Sequence, residues 1–156
     1  MLTEFPYSFP GKIFRSPMPF SRYDRADTWD AYRENAVAMV VVLAEEGEYL
    51  VYAGRDLPAF YRSQGMDSLH IPVPDFGIPE DRQAWEDGLD QVARAAREGL
   101  NIAIHCLAGI GRTGTFLACL AKKELGLDGE ASIHWVRKHL PGALENGCQE
   151  GFVKDY

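Results

Sequence analysis

Apolar positions fall along this chain in two rhythms. Val37-Ala38-Met39-Val40-Val41-Val42-Leu43 is a continuous run rich in β-branched residues. That is the pattern of a central strand covered on both faces. Asn101-Ile102-Ala103-Ile104 is a shorter run of the same type. Lys12 to Arg15 predicts another strand, and so does Ser68 to Pro72, with Leu69 and Ile71 alternating inward. Elsewhere the spacing lengthens to that of a helix. Glu80 to Glu98 is the clearest case: Trp85, Leu89, Val92, Ala93 and Ala96 make one face, Pro79 suits the first turn and Gly99 the end. Thr113 to Leu125 also reads as helical. Asp128 is placed to cap a helix running to His139, with Ile133, Val136 and Leu140 on its inner side. Shorter helices are expected from Thr28 to Ala36, behind an Asp27 N-cap, and from Leu57 to Gln64. Strands alternating with helices predict an α/β fold, a single domain with a central, mainly parallel sheet flanked by helices. Functional residues then belong at the C-terminal ends of the strands.

Composition narrows the partners. A chain of 156 residues with 46% hydrophobic content suits one domain over 1–156 with a real core. A formal net charge of −7 makes the surface unsuited to a nucleic-acid backbone or an anionic lipid face, so neither nucleic acid nor membrane is an expected partner. Met1 to Pro6 has neither the basic nor the apolar segment of a signal peptide, and no apolar run approaches a membrane span. The cysteines Cys106, Cys119 and Cys148 form no Cys-x-x-Cys pair. That favours reduced thiols in a cytoplasm over a disulfide framework or zinc. His70, His134 and His139 have no ligand spacing, and no metal or cofactor is expected.

One segment carries the chemistry. Residues 105–114 read His105-Cys106-Leu107-Ala108-Gly109-Ile110-Gly111-Arg112-Thr113-Gly114. They lie between a strand-type run and a helix, where backbone N–H groups and the positive end of the helix dipole point outward. A loop closed between Cys106 and Arg112 can direct the N–H groups of Leu107, Ala108, Gly109, Ile110 and Gly111 at the oxygens of one phosphate. Gly109 and Gly111 permit backbone angles that a side chain would hinder. Arg112 offers a planar fork to two oxygens at once. The same donors should hold Cys106 as a thiolate at neutral pH. Thr113 is placed to donate its hydroxyl to that sulfur. His105 is expected to orient the loop rather than act as a base. The reaction that fits is covalent phosphoryl transfer to sulfur through a phosphocysteine. Its two steps also need a proton donor and a positioned water.

This signature resembles that of the protein tyrosine phosphatase superfamily, and most of all its small, dual-specificity-like members. The resemblance covers most of the chain. Ile71-Pro72-Val73-Pro74-Asp75-Phe76-Gly77-Ile78-Pro79 is similar to the family's acid loop, which implies Asp75 as general acid. Val136 to Ala143 is similar to a helix ending in Arg-Pro-Gly, with Leu140 where the family has Arg, so a structural ion pair is expected to be missing. Glu145 to Phe152 carries Gln149, implied as the residue that positions the hydrolytic water, with Asn146 where Thr is common. Ser16-Pro17-Met18-Pro19 resembles an early loop of the small members. The phosphotyrosine loop of the large receptor-type enzymes has no counterpart, so a shallow pocket is expected. The resemblance implies a protein tyrosine phosphatase-like fold and a cytoplasmic, monomeric protein phosphatase. Its substrate would be a phosphorylated protein, with phosphotyrosine preferred and phosphoserine or phosphothreonine admitted.

Other readings stand beside this one. A phosphatase of inositol phosphates, inositol lipids or RNA 5′-triphosphates would use the same loop. Family members that handle inositol polyphosphates often carry Lys inside it, where this chain has Leu107, Ala108 and Ile110. A non-catalytic phosphate-binding module would lack the Cys, the Arg or the acid, and all three are present. Asp81 is the reserve acid, with the look of a first-turn helix carboxylate. Glu145 is the reserve for handling water. Cys119 reads as core filling, and Cys148 as an inert thiol in preference to a trap for oxidised Cys106. Arg15, Tyr23 and Tyr61 are candidates for the pocket border.

Overall fold

The computed structural model, which describes all of residues 1–156, is built on a five-stranded sheet. Its strands are β1 (Thr3–Phe5), β2 (Ile13–Ser16), β3 (Val37–Val42), β4 (Asp67–His70) and β5 (Asn101–His105). Their order is β1-β2-β5-β3-β4, with β1 antiparallel to β2 and every other pair parallel. The strand that leads into the signature is therefore the middle one. β3 is apolar throughout because both of its faces are covered. Met39, Val41 and Leu43 join one core with Ile102 and Ile104 of β5, while Val40 and Val42 join the other with Ala103. On the first face lie α4 (Arg82–Arg97), α5 (Gly111–Leu125), α6 (Gly129–His139) and α7 (Gly147–Asp155). On the second lie α1 (Thr28–Glu34), α2 (Glu46–Tyr52) and α3 (Leu57–Ser63). The expected α/β layering is thus present.

The expected face of α4, from Trp85 to Ala96, is fully buried. Its Trp85 ring stands edge-on to Phe116 of α5 and Phe152 of α7, at 5.1 and 5.7 Å. Asp81 is the N-cap of α4 and accepts the Ala84 N–H at 2.9 Å. Asp128 caps α6 in the same way, through Ala131 N–H at 2.8 Å. Two elements lie outside the sequence reading. β1 is too short to show alternation. α2 leaves Leu50, Val51 and Tyr52 exposed, so its apolar residues do not mark an inner face. α5 begins at Gly111 rather than Thr113, inside the signature. No helix is long and apolar enough to cross a membrane.

Replacing Asp81 with Ala removes one N-cap hydrogen bond and should destabilise the protein by about 1 kcal/mol. Urea denaturation measures this directly, and an unchanged midpoint would show that the cap is idle.

Candidate active site

β5 stops at His105 and α5 starts at Gly111, so Cys106 to Ile110 form the turn between them. Gly109 has φ +74°, and a Cβ there would overlap the Ser16 carbonyl at the end of β2. A Cβ on Gly111 would overlap the Glu145 carboxylate. Gly109 is thus required by its backbone angle and by close approach to main chain, whereas at Gly111 the Glu145 side chain is free to swing aside. The backbone N–H groups of Leu107 to Gly111 find no acceptor in the protein. They edge a cleft of about 60 Å³ lined by Cys106, Arg112, Asp75, Glu145, Tyr23 and Phe76. Ordinary small-molecule sites run to roughly 300–1,000 Å³, so a cleft this small suits a single anionic group rather than a whole organic ligand. Three larger hollows elsewhere are open; two are lined by side chains already paired with each other, Arg137 with Glu150 and Lys123 with Glu86, and the third lies by Met39, Asp67, Arg94 and Glu98.

Arg112 lies in the first turn of α5 and is 2% exposed. Its Nη1 donates to Glu48 Oε2 at 2.7 Å and to the Val73 carbonyl at 2.9 Å. Its Nη2 donates to Glu48 Oε1 at 2.8 Å and to Asp75 Oδ1 at 3.0 Å. Nε–H alone is left without a partner. Burial works against the guanidinium's charge, but Glu48, the Cys106 sulfur and Asp75 outweigh it and hold the proton firmly. Glu48 shows the mirror image. Burial pushes its carboxyl up, and the bonds from Arg112 and the Glu45 N–H more than reverse this, for a net shift downward.

His105 is fully buried behind the loop. Its Nδ1 lies 2.9 Å from the Cys106 carbonyl, which can only accept, so Nδ1 carries the hydrogen. Nε2 then accepts from Tyr61 OH at 2.9 Å. Tyr61 is therefore a buried brace behind the loop and not a border of the cleft. Burial pushes the imidazole down to about 4, and the bond to the Cys106 carbonyl only partly opposes this. A neutral His105 that orients its neighbour follows directly.

The acid loop crosses the mouth of the cleft. Asp75 is 47% exposed at its side chain and rests against Arg112. Phe76 follows with φ +57°, an uncommon backbone state for a bulky residue, held by Asn146 Nδ2 donating to its carbonyl at 2.8 Å. Asn146 also caps α7, accepting the Gln149 N–H at 3.0 Å, so it serves where Thr is common in the family. Gln149 is fully buried. Its amide donates to the Gly77 carbonyl at 3.3 Å and accepts the Glu145 N–H at 2.7 Å, which places it between the acid loop and the signature. Burial and the Asp75 charge push the Glu145 carboxyl up. The Thr113 hydroxyl is buried with no hydrogen-bond partner, so the bond to sulfur expected from the sequence is not made.

Leu140 packs into the core where the family has Arg. An arginine ties this segment even so. Arg137 donates to the Ala143 and Leu144 carbonyls, both at 2.9 Å, and pairs with Glu150. Sequence reasoning missed Glu48, and it offered Arg15 as a border of the pocket, whereas Arg15 lies behind the loop on the Ala108 and Gly109 carbonyls. Glu48 had one signal: a carboxylate cluster directly after a fully apolar strand, with capping-box spacing from Glu45. Arg15 had another, a charge inside an otherwise apolar strand. Tyr23 does border the cleft.

A strand-to-helix loop that offers a thiol and free N–H groups, an arginine locked by carboxylates, and an acid across the mouth define a cysteine-based phosphate site. A family model described as "Polymorphic toxin system, DSP-PTPase phosphatase" matches residues 18–124, and the chain belongs to this family. Tyrosine-protein phosphatase cdc-14 of Caenorhabditis elegans is 31% identical over 150 residues, 90% of this chain and 20% of that protein. Cyclin-dependent kinase inhibitor 3 of Rattus norvegicus is 30% identical over 88 residues, 56% of this chain and 41% of that one. The chain thus spans less than half the length of these two relatives. Among solved structures, Tk-PTP in its active form superposes with a TM-score of 0.78 at 31% identity, covering 97% of this chain and 96% of that chain. Kinase associated phosphatase superposes with a TM-score of 0.87 at 17% identity, over 99% of this chain and 92% of that chain, a likeness of fold.

Two outcomes follow from the geometry. Glu48→Ala leaves a buried guanidinium short of its main partner and should cost about 3–5 kcal/mol in stability, with weaker binding of inorganic phosphate. Unchanged denaturation and phosphate affinity would remove Glu48 from the site. His105 sets a pH dependence of stability. As pH falls below the ordinary histidine value of 6.5, the unfolded chain takes up a proton that the folded chain refuses down to about 4. Stability from this group is therefore present above pH 6.5 and lost between there and pH 4, by up to about 3 kcal/mol. His105→Asn should flatten that part of the profile, and equal losses in both proteins would acquit the histidine.

Proposed function

We propose that residues 1–156 form one cysteine-based phosphatase domain, acting as a monomer in the cytoplasm on phosphorylated proteins. Phosphotyrosine is preferred over phosphoserine and phosphothreonine. The observation that carries this reading is Cys106 at the base of a cleft rimmed by unpartnered N–H groups, with Arg112 and Asp75 paired across its mouth. All of these groups come from one chain. The thiols are unpaired, in keeping with a reducing compartment.

In the proposed reaction, two phosphate oxygens take the free Nε–H of Arg112 and the Nη2–H that now faces Asp75. Asp75, displaced from Arg112, then faces the leaving oxygen as the acid. Cys106 attacks phosphorus, the bond to the leaving oxygen breaks, and Asp75 gives that oxygen its proton. The free N–H groups and Arg112 hold the equatorial charge. Water then attacks the phosphocysteine, its proton returns to Asp75, and the S–P bond breaks; the Thr113 hydroxyl, unpartnered in the free protein, turns to the departing sulfur at this step. Gln149 orients that water, with Glu145 beside it as the alternative.

Substrate class rests on the rim. Tyr23 and Phe76 give the cleft aromatic walls, and Leu107, Ala108 and Ile110 add no cation for further phosphates. A net charge of −7 disfavours polyanionic RNA and inositol polyphosphates.

Cys106→Ser should abolish turnover while inorganic phosphate still binds. Asp75→Asn should slow aryl phosphates with poor leaving groups by about 10²–10⁴-fold and those with good leaving groups far less. Equal slowing of all substrates would take the acid role from Asp75. Matched kcat/KM values for phosphotyrosine, phosphothreonine, inositol-lipid and RNA 5′-triphosphate substrates decide the class. A lipid or RNA value above the best phosphotyrosine peptide overturns it.

A further inference from the structure

Beneath the signature loop lies a second buried arginine. Arg15 belongs to β2 and pairs in register with Ile104, so it sits one step below the point where β5 gives way to the loop. It is 8% exposed. All of its hydrogen bonds go to main-chain carbonyls: Nε to Gly109 at 2.9 Å, Nη2 to Ala108 at 3.1 Å and Nη1 to Met1 at 3.3 Å. No carboxylate pairs with it. A buried cation left without a counter-charge costs several kcal/mol, so a chain that keeps one has a use for the charge.

The use follows from peptide geometry. In a trans peptide the C=O and N–H point in opposite directions. The carbonyls of Ala108 and Gly109 belong to the same planar groups as the N–H of Gly109 and Ile110. With both carbonyls turned down onto Arg15, both N–H groups turn up, and neither has an acceptor in the protein. A charged donor on a carbonyl also polarises its peptide group and makes the opposite N–H a stronger donor. Contact is enforced from both sides, because Gly109 rests on the Ser16 carbonyl and the Arg15 Nη2 with no room for a Cβ. Burial works against the charge on Arg15, and the Cys106 sulfur works for it.

We propose that Arg15 is a positioning residue of the phosphate cradle. From below it fixes and polarises the peptide groups that present Gly109 N–H and Ile110 N–H, and together with Arg112 it sets positive charge near the Cys106 sulfur. Arg112 grips the phosphate from the mouth, and Arg15 acts only through the loop. The inference rests on the phosphatase reading, but it is tested without turnover.

Cys106 also faces Asp75 from the acid loop, Glu48 through Arg112, Glu145 from the segment before α7, and neutral His105. These stay constant when only Arg15 is changed. Two measurements suffice: the rate of Cys106 alkylation by iodoacetamide at neutral pH, followed by peptide mass spectrometry to separate it from exposed Cys148, and the affinity for inorganic phosphate. Arg15→Met should slow alkylation and weaken phosphate, each about tenfold. Arg15→Lys keeps a cation but not the two-carbonyl fork, so its alkylation should stay near the parent rate while phosphate still weakens. Should Arg15→Met fail to fold, the lysine variant alone decides through its phosphate affinity. Parent-like phosphate binding in the folded variants, with stability alone reduced, overturns the proposal and leaves the phosphatase reading intact. A parent protein that binds no phosphate and alkylates Cys106 no faster than Cys148 overturns both.

Discussion

The burial of one guanidinium organises the upper end of this molecule. Arg112 draws its partners from two places far apart in sequence: Glu48 on α2, and the acid loop, which supplies the Val73 carbonyl and the Asp75 carboxylate. Taking such a charge out of water is costly, and the pair adds little net stability over apolar packing. What it supplies is register. α2 must stand where Glu48 reaches the fork, and the acid loop must pass where its carbonyl and carboxylate complete it. The side chains around the cleft are thus oriented in the empty protein, the kind of preorganisation on which the proposed chemistry would draw.

The sheet and the long helices were legible because burial on two faces leaves a plain mark. β3 is apolar at every position, and α4 shows a face that the core then fills. Cys106, Arg112 and Gly109 were legible because a tight strand-to-helix loop needs those residue types at that spacing. Glu48 and Arg15 were not, for a shared reason. Each acts across a long separation, 64 residues from Glu48 to Arg112 and 94 from Arg15 to Gly109, and no local period reports such pairs. α2 escaped because it is held by one buried tyrosine and one ion pair rather than by an apolar stripe.

Departures from the family pattern are absorbed by neighbours. Leu140 removes an arginine at one position, and Arg137, one turn earlier, holds the same segment through its carbonyls. Asn146 replaces the commoner Thr, and its amide does two things a hydroxyl and methyl would do less well. It caps α7 and it anchors the strained Phe76 backbone on the acid loop. The segment before α7 is therefore coupled to the acid loop through polar bonds that can break and reform without disturbing either core.

The central place of β5 has a consequence for how the protein is made. Its partners β2 and β3 are synthesised well before it, yet neither has its middle neighbour until residues 101–105 emerge. Parallel pairing across such separations is slow to close. During translation β2 and β3 each wait without one neighbour, and Cys106 emerges before the Arg112 helix that closes its loop. The surroundings of Cys106 are complete only once β5 has entered the sheet and α5 has packed beside it. A chain cut short before α5 therefore lacks those surroundings by topology alone.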